Sequence, residues 1–428
     1  VKMIRYIQIV LIFLTFQLLH SYGETLTVCK EGCKYSSIKE ALSYAKDGDR
    51  IVVKKGVYKE GNIVVGKSIS LIGEDYPVLD GEGKYEILTV KANNVTVEEG
   101  FIFKNSGKSY IEDIAALKVI ASKGCVIRKN KFFKNFWAIY LAKSKECLIE
   151  ENYIKGPAKR RKLAEKGVTE TGFGNGIHLW YCRYITIDNN YISNHRDGIY
   201  FEFVKDSVII GNLSEDNLRY GLHFMFSHRD IYINNVFRHN GAGVAVMYTK
   251  KVHMEGNRFE YNWGPATFGL LLKDITDSFI THNIFYKNTT GIFSDNTIRT
   301  RIEENDFIEN GLALKIYSNS TDNIIRHNNF IENTFNVVTN SFHNPNKYTE
   351  NYWSDYKGFD LNRDGIGDIP YRPVSLFGYF TENYPQSIIL TRSFFIYLLD
   401  LVERIFPMLI PESLVDNKPL MRKYEWLK

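Results

Sequence analysis

The phrases GIHLWY from Gly176, GIYFEF from Gly198, GLHFMF from Gly221 and GVAVMY from Gly243 stand 22, 23 and 22 residues apart. A fixed period of that length marks a stacked repeat rather than an ordinary globular core. Within each phrase apolar residues alternate with others, as in a strand with one buried face. Ile177/Leu179, Ile199/Phe201, Leu222/Phe224 and Val244/Val246 form the inward set. In-register stacking then predicts two outward columns. One reads His178, Tyr200, His223, Ala245, Leu271, Phe293; the other reads Trp180, Glu202, Met225, Met247, Lys273, Asp295. Both are expected to face solvent.

The period continues on both sides. Asn-x-(Phe/Ile) recurs at Asn130, Asn152, Asn190, Asn235, Asn257, Asn283, Asn305 and Asn328, with Asn212 in the same slot. Asparagine tolerates left-handed backbone and bonds readily to nearby backbone, so it suits a repeated corner, where its amides can also bond rung over rung. Three short strands and three corners per turn define an all-β, right-handed parallel β-helix of roughly 13 rungs. Two intervals are longer, 38 and 26 residues. They place a large insertion around Gly156 to Thr171 and a smaller one near Asn262 to Phe268, both in corner loops.

The expected organisation is a signal peptide over 1–23, an N-terminal cap over 24–49, the β-helix over 50–345, a loop region over 346–386 and an amphipathic helical tail over 387–428. Lys2 and Arg5 precede the apolar run Ile7 to Leu19, and small residues Ser21 and Gly23 follow, which reads as an export signal or an uncleaved anchor. Ser36 or Ser37 caps a helix burying Ile38, Ala41, Leu42 and Ala45 over the first rung. The tail, Ser387 to Pro411, is apolar but carries Arg392, Asp400, Glu403 and Arg404, which make a spanning helix costly. It suits docking on a membrane surface or membrane protein, or folding back as a cap.

Five cysteines fit an exported chain if some pair. Cys29 and Cys33 can close a small ring. Cys125 and Cys147 fall at equivalent positions on neighbouring rungs, about 4.8 Å apart and within disulfide reach. Cys182 is left over. A net charge of +5 is mild and scattered, and Lys159 to Lys162 is too short a cluster to argue for nucleic acid.

Two candidate metal sites emerge. His223, Met225 and Met247 converge if the rungs stack in register, with His178 or Glu202 closing the set. Thioether plus imidazole favours Cu(I), and Lys273 ends the site because an ammonium repels a cation. Asp360, Asn362, Asp364 and Asp368, with Gly365 sixth in the run, resemble a calcium loop, although Tyr371 stands where an EF-hand has its bidentate glutamate. A rival reading treats Arg196, Asp197, Glu202, Arg219, His223 and Lys273 as acid, base and carboxylate clamps of a carbohydrate-active β-helix. No dense acidic pair occupies one level of the columns, and methionine serves a sugar site poorly. Met254 sits in a column of isoleucines and reads as core. His195, His228, His239, His282 and His327 fall in corners.

HRDGIYFEF (His195 to Phe203), NLRYGLHFMFS (Asn217 to Ser227), NGAGVAVMY (Asn240 to Tyr248), NWGPATFGLLLKD (Asn262 to Asp274) and DGIGDIPYRP (Asp364 to Pro373) resemble the hallmark blocks of the NosD family. That resemblance implies an exported, periplasmic or extracytoplasmic copper-binding β-helix, not an enzyme. It implies a membrane permease and a cytoplasmic ATPase of the ABC type as partners, a small lipoprotein copper chaperone as donor, and a client copper enzyme such as nitrous oxide reductase. The tail after Ser387 would dock on the permease. A metal-free adaptor of such a transporter is the remaining alternative.

Overall fold

The computed structural model describes residues 23–109, 111–158, 172–341, 343–390, 393–406 and 414–426. The expected signal segment and the centre of the expected large insertion lie outside them. The chain winds as a right-handed parallel β-helix whose three sheets hold 14, 12 and 13 strands. We call them the base, front and side sheets. The front sheet carries the recurring phrases. Its strands pair in the register the 22-residue period requires, with Ile177 opposite Ile199, Ile199 opposite Leu222, and Leu222 opposite Val244. The solenoid is longer than expected at both ends, running from Thr25–Val28 to Tyr352–Trp353.

Inside, like residues stack on like. Phe259, Phe285, Phe307, Phe330 and Trp353 form a continuous column of near-parallel rings with centroids 4.1 to 4.8 Å apart. Met254 lies in the core between Tyr232 and Ile280, as its column implies.

The corner asparagines form the expected ladder. Each Oδ1 accepts from the backbone N–H of the asparagine one rung earlier, and each Nδ2 donates to a carbonyl of that earlier rung. Asn130 N–H donates to Asn152 Oδ1 at 3.1 Å, Asn152 N–H to Asn190 Oδ1 at 3.0 Å, and so on to Asn351. These amides are buried but satisfied, so burial does not penalise them.

A second ladder, five residues further on, was not read from the sequence. Asn217, Asn240, Asn262, Asn288, Asn310 and Asn333 repeat the same bonding. This ladder explains the glycine that opens each phrase. A Cβ on Gly221 would come within 2.8 Å of Asn240 Nδ2 and of Gly243 O, and one on Gly243 within 2.3 Å of Gly269 O.

Both ends are closed. At the N-terminus, α1 (Ile38–Tyr44) is capped by Ser37 and buries Ile38, Ala41 and Leu42 over the first rungs. Cys29 and Cys33 form the expected disulfide. Towards the C-terminus, α2 (Leu376–Asn383) packs on the strand Phe335–Val338, with Phe377 against Phe335 and Glu382 bonded to Lys315 and Tyr317. The helix α3 (Phe394–Ile405) exposes Phe394, Phe395, Leu398, Leu401 and Val402. No helix among the described residues is long and apolar enough to cross a membrane. The tail is not helical to its end. Residues 414–426 return to the solenoid, where Tyr424 stacks on His327 and Trp426 donates to Asp306.

Asp416 is the terminal step of the first ladder. Its buried carboxylate accepts from Glu350 N–H, Asn351 N–H, Asn351 Nδ2, Trp353 Nε1 and Lys418 N–H, at 3.0 to 3.2 Å. Asp416→Ala strands these donors, each worth about 1–3 kcal/mol when left unsatisfied and buried. We expect a loss of about 3 kcal/mol or more, read by urea denaturation, with the last rungs opening first to protease.

Candidate metal-binding face

The front sheet brings both predicted columns into being. His178, Tyr200, His223 and Ala245 lie in register, as do Trp180, Glu202, Met225, Met247 and Lys273. The expectation that both face solvent is corrected. Glu202, Met225 and Met247 are half-buried, whereas His178, His223, Ala245 and Leu271 are buried. Aromatic residues close over the histidines. His178 packs against Trp137, Tyr140 and Tyr200 at 4.7 to 5.1 Å between ring centres, and His223 lies 4.8 Å from both Tyr200 and Tyr220. Tyr200 therefore sits between the two imidazoles, and the five-residue set divides. Glu202, Met225 and Met247 line one accessible column; His178 and His223 belong to a covered one. The Tyr200 hydroxyl joins the columns, 3.6 Å from Met225 Sδ.

Behind His223 is a charged pair that the sequence assigned to the rival sugar chemistry. Asp197 is fully buried and held by Arg219, whose Nε donates at 2.9 Å and Nη2 at 2.5 Å. His223 Nδ1 lies 3.8 Å from the same carboxylate and 3.4 Å from Arg219 Nη2. Burial works to raise the Asp197 carboxyl, but His223 and Arg219 outweigh it and hold it at about 2. His223 Nε2 has no hydrogen-bond partner. With Asp197 fully buried and bonded to Arg219 through both oxygens, the arrangement serves a structural ion pair better than an acid or base open to a sugar.

Two further histidine rings are buried. Neither ring nitrogen of His178 has a hydrogen-bond partner, and the His195 ring lies against the Gly174 backbone. Burial, then the nearby Arg196 charge, pushes His178 down to about 3; burial pushes His195 down to about 4. His195 is buried in its corner, where it fills the slot of the second asparagine ladder next to Asn217. His282 and His327, in their corners, pair with Glu304 and Glu350 at 2.6 and 3.0 Å.

Cys125 and Cys147 face each other on adjacent rungs but remain free buried thiols, as does Cys182. Each sulfur also contacts a carbonyl, Cys125 that of Ala92 and Cys147 that of Lys145. In the loop expected for calcium, Asp360, Asn362, Asp364 and Asp368 accept from the loop's own N–H groups at 2.7 to 3.2 Å. Among the described residues, no three or more His, Cys, Asp or Glu are gathered to hold a metal ion. A metal on the front face would therefore need methionine.

The fold and this face define a β-helix that presents soft donor atoms on one sheet. Residues 159–358 match the model of the family described as "Periplasmic copper-binding protein (NosD)". The chain is 32% identical to a Pseudomonas aeruginosa protein named "Probable ABC transporter binding protein NosD" over 90% of this chain and 91% of that one. It is 29% identical to a Stutzerimonas stutzeri protein of the same name, over 85% of each. The chain belongs to the NosD family of periplasmic copper-binding proteins. Among solved structures, the A-modules of two Azotobacter vinelandii mannuronan C-5 epimerases match 73% of the chain and 87–88% of their own, with TM-scores of 0.52 and 13–14% identity. That likeness shows the fold alone.

His178 and His195 are neutral when folded and take up protons on unfolding, so they add stability above the ordinary histidine range. That stability is lost as pH falls from about 6.5 towards 4 and then 3. His195→Asn puts the ladder's own residue back in its slot. We expect a higher melting temperature at pH 5 than wild type and a shallower fall between pH 7 and 5, measured by calorimetry.

Proposed function

We propose that the chain is an exported copper carrier that takes up Cu(I) at Met225 and Met247 and passes it on as the extracytoplasmic partner of an ABC-type permease and ATPase. One observation carries this reading. Met225 and Met247 are in-register neighbours on adjacent rungs, half-exposed, with Glu202 one rung before them. Rung spacing of about 4.8 Å lets two thioethers reach one ion. Thioether sulfur selects Cu(I) over harder cations and carries no proton to displace. Glu202 adds a charge that attracts the cation, and Lys273 on the following rung limits the site.

In this reading His223 flanks the pair, two residues before Met225 on the same strand. His178 stands on the far side of the Tyr200 ring and is not part of the first ligand set. Copper is cargo here, delivered to a copper enzyme of the nitrous oxide reductase kind. The family description and the relatives' names as ABC transporter binding proteins support this role. The apolar face of α3 suits contact with the permease.

Competition with a chromophoric Cu(I) chelator tests the site. We expect one tightly held Cu(I) per chain, weakened at least tenfold by Met225→Ala and by Met247→Ala. The affinity should be nearly flat between pH 6 and 8, because methionine does not titrate. Unchanged binding in both variants, or affinity falling tenfold per pH unit through the histidine range, would contradict the assignment.

A further inference from the structure

The chain keeps its five cysteines in two settings. Cys125, Cys147 and Cys182 are free thiols inside the core. Cys29 and Cys33 are joined, in a loop that leaves the first base strand, Thr25–Val28, at the N-terminal end of the solenoid. Lys30, Glu31, Gly32 and Lys34 in that loop are exposed, and Cys33 is half-buried. A Cβ placed on Gly32 would meet nothing within 4 Å. The loop tip therefore stands in open solvent, and any thiol chemistry of this chain with an outside molecule falls to this pair.

Folding asks little of the bond. Backbone already holds both ends of the loop. Cys29 N–H donates to Tyr35 O at 3.1 Å, and Val28 bridges Tyr35 while pairing with Val53. Tyr35 is itself buried and packs on Tyr44. A disulfide between residues only four apart removes little chain entropy from the unfolded state, because its stabilisation grows with loop length. Accessible disulfides are the ones that exchange with other thiols.

The surroundings favour thiolate once the bond opens. Lys30 and Lys34 each follow a cysteine directly. Their ammonium groups are held over the rings of Tyr58 and Tyr35, 4.3 and 5.1 Å from the centres. Cations beside a sulfur stabilise its thiolate, which is both the nucleophile and the metal ligand.

We propose that Cys29 and Cys33 are a second, redox-gated Cu(I) site, closed as a disulfide and opened by an exported dithiol. The disulfide takes two electrons and two protons from that dithiol, which becomes a disulfide in turn. The two thiols so formed release their protons as they bind one Cu(I) between two thiolate sulfurs. Their Cα atoms are 5.6 Å apart, so one ion can touch both sulfurs. Soft thiolates select Cu(I), which is satisfied by two ligands in a line. Structural zinc needs four, and among the described residues no group of three or more His, Cys, Asp or Glu is gathered to hold it. The inference rests on copper as the cargo but not on the methionine pair. The strand that carries Met225 is the seventh of the front sheet from this end, roughly 30 Å away at about 4.8 Å per rung.

Alkylation and then copper titration of the full chain test this. Dithiothreitol is added to the folded protein at pH 7 without denaturant, and iodoacetamide adducts are located by mass spectrometry. We expect Cys29 and Cys33 to be labelled within minutes while Cys125, Cys147 and Cys182 stay unlabelled and circular dichroism is unchanged. Freed of dithiothreitol under argon, the reduced protein should take one Cu(I) more per chain than oxidised protein kept in ascorbate, which leaves disulfides intact. The added ion should survive Met225→Ala with Met247→Ala and be absent from Cys29→Ser with Cys33→Ser. A bond that yields to dithiothreitol only as the chain unfolds is a structural staple and overturns the proposal. So does a reduced protein that takes no further ion, or one whose further ion persists in the serine variant. Titration of the oxidised protein reads the methionine pair alone, so the two assignments fail separately.

Discussion

Register between successive rungs is the constraint on which this molecule depends. Backbone pairing alone would hold parallel strands together, but a one-residue slip would exchange the inner and outer faces. Two asparagine ladders prevent it. Each amide is bonded to the rung before, so a slipped rung would leave several buried groups unpaired at once. From Asn217 onward the ladders act at two corners and fix each turn at two points. Glycine at the start of each phrase is the steric counterpart, leaving room for the second ladder.

Fixed register turns a repeat into a site. Met225 and Met247 are 22 residues apart along the chain and are brought side by side by the same bonds that pair Phe224 with Val246 inside the solenoid. The two outward columns then diverge in character. The histidine column is roofed by aromatic rings and backed by the Asp197–Arg219 pair, so its imidazoles are held rigid, and burial lowers the pKa of His178. The methionine column stays half open. In the carrier reading proposed above, an open side lets cargo arrive and leave, and thioether ligands would hold Cu(I) without proton release that would tie delivery to pH.

Much of this was legible in the sequence, for a local reason. Period-two alternation and the 22-residue spacing are properties of short segments, and they determine the inward set, the columns and the first ladder. Burial of the outward columns was not legible. Whether His178 faces water depends on Trp137 and Tyr140, which belong to an earlier rung. Asp416 closes the ladder from 65 residues away, with nothing in its own neighbourhood to announce it. The second ladder was within reach, since asparagine recurs five residues after each member of the first from Asn217 onward. It was hidden because Pro157 and His195 break it where the insertion enters. The disulfide within reach of Cys125 and Cys147 is not formed: the two stay free thiols on adjacent rungs.

Selenium and copper X-ray absorption on the selenomethionine-labelled, Cu(I)-loaded protein addresses the central claim most directly. Stacked rungs that place Met225 and Met247 on one ion predict selenium in the copper coordination shell, two atoms per copper, falling to one in Met247→Leu. A copper shell of nitrogen and oxygen alone, with no selenium contribution in the labelled wild type, would contradict it.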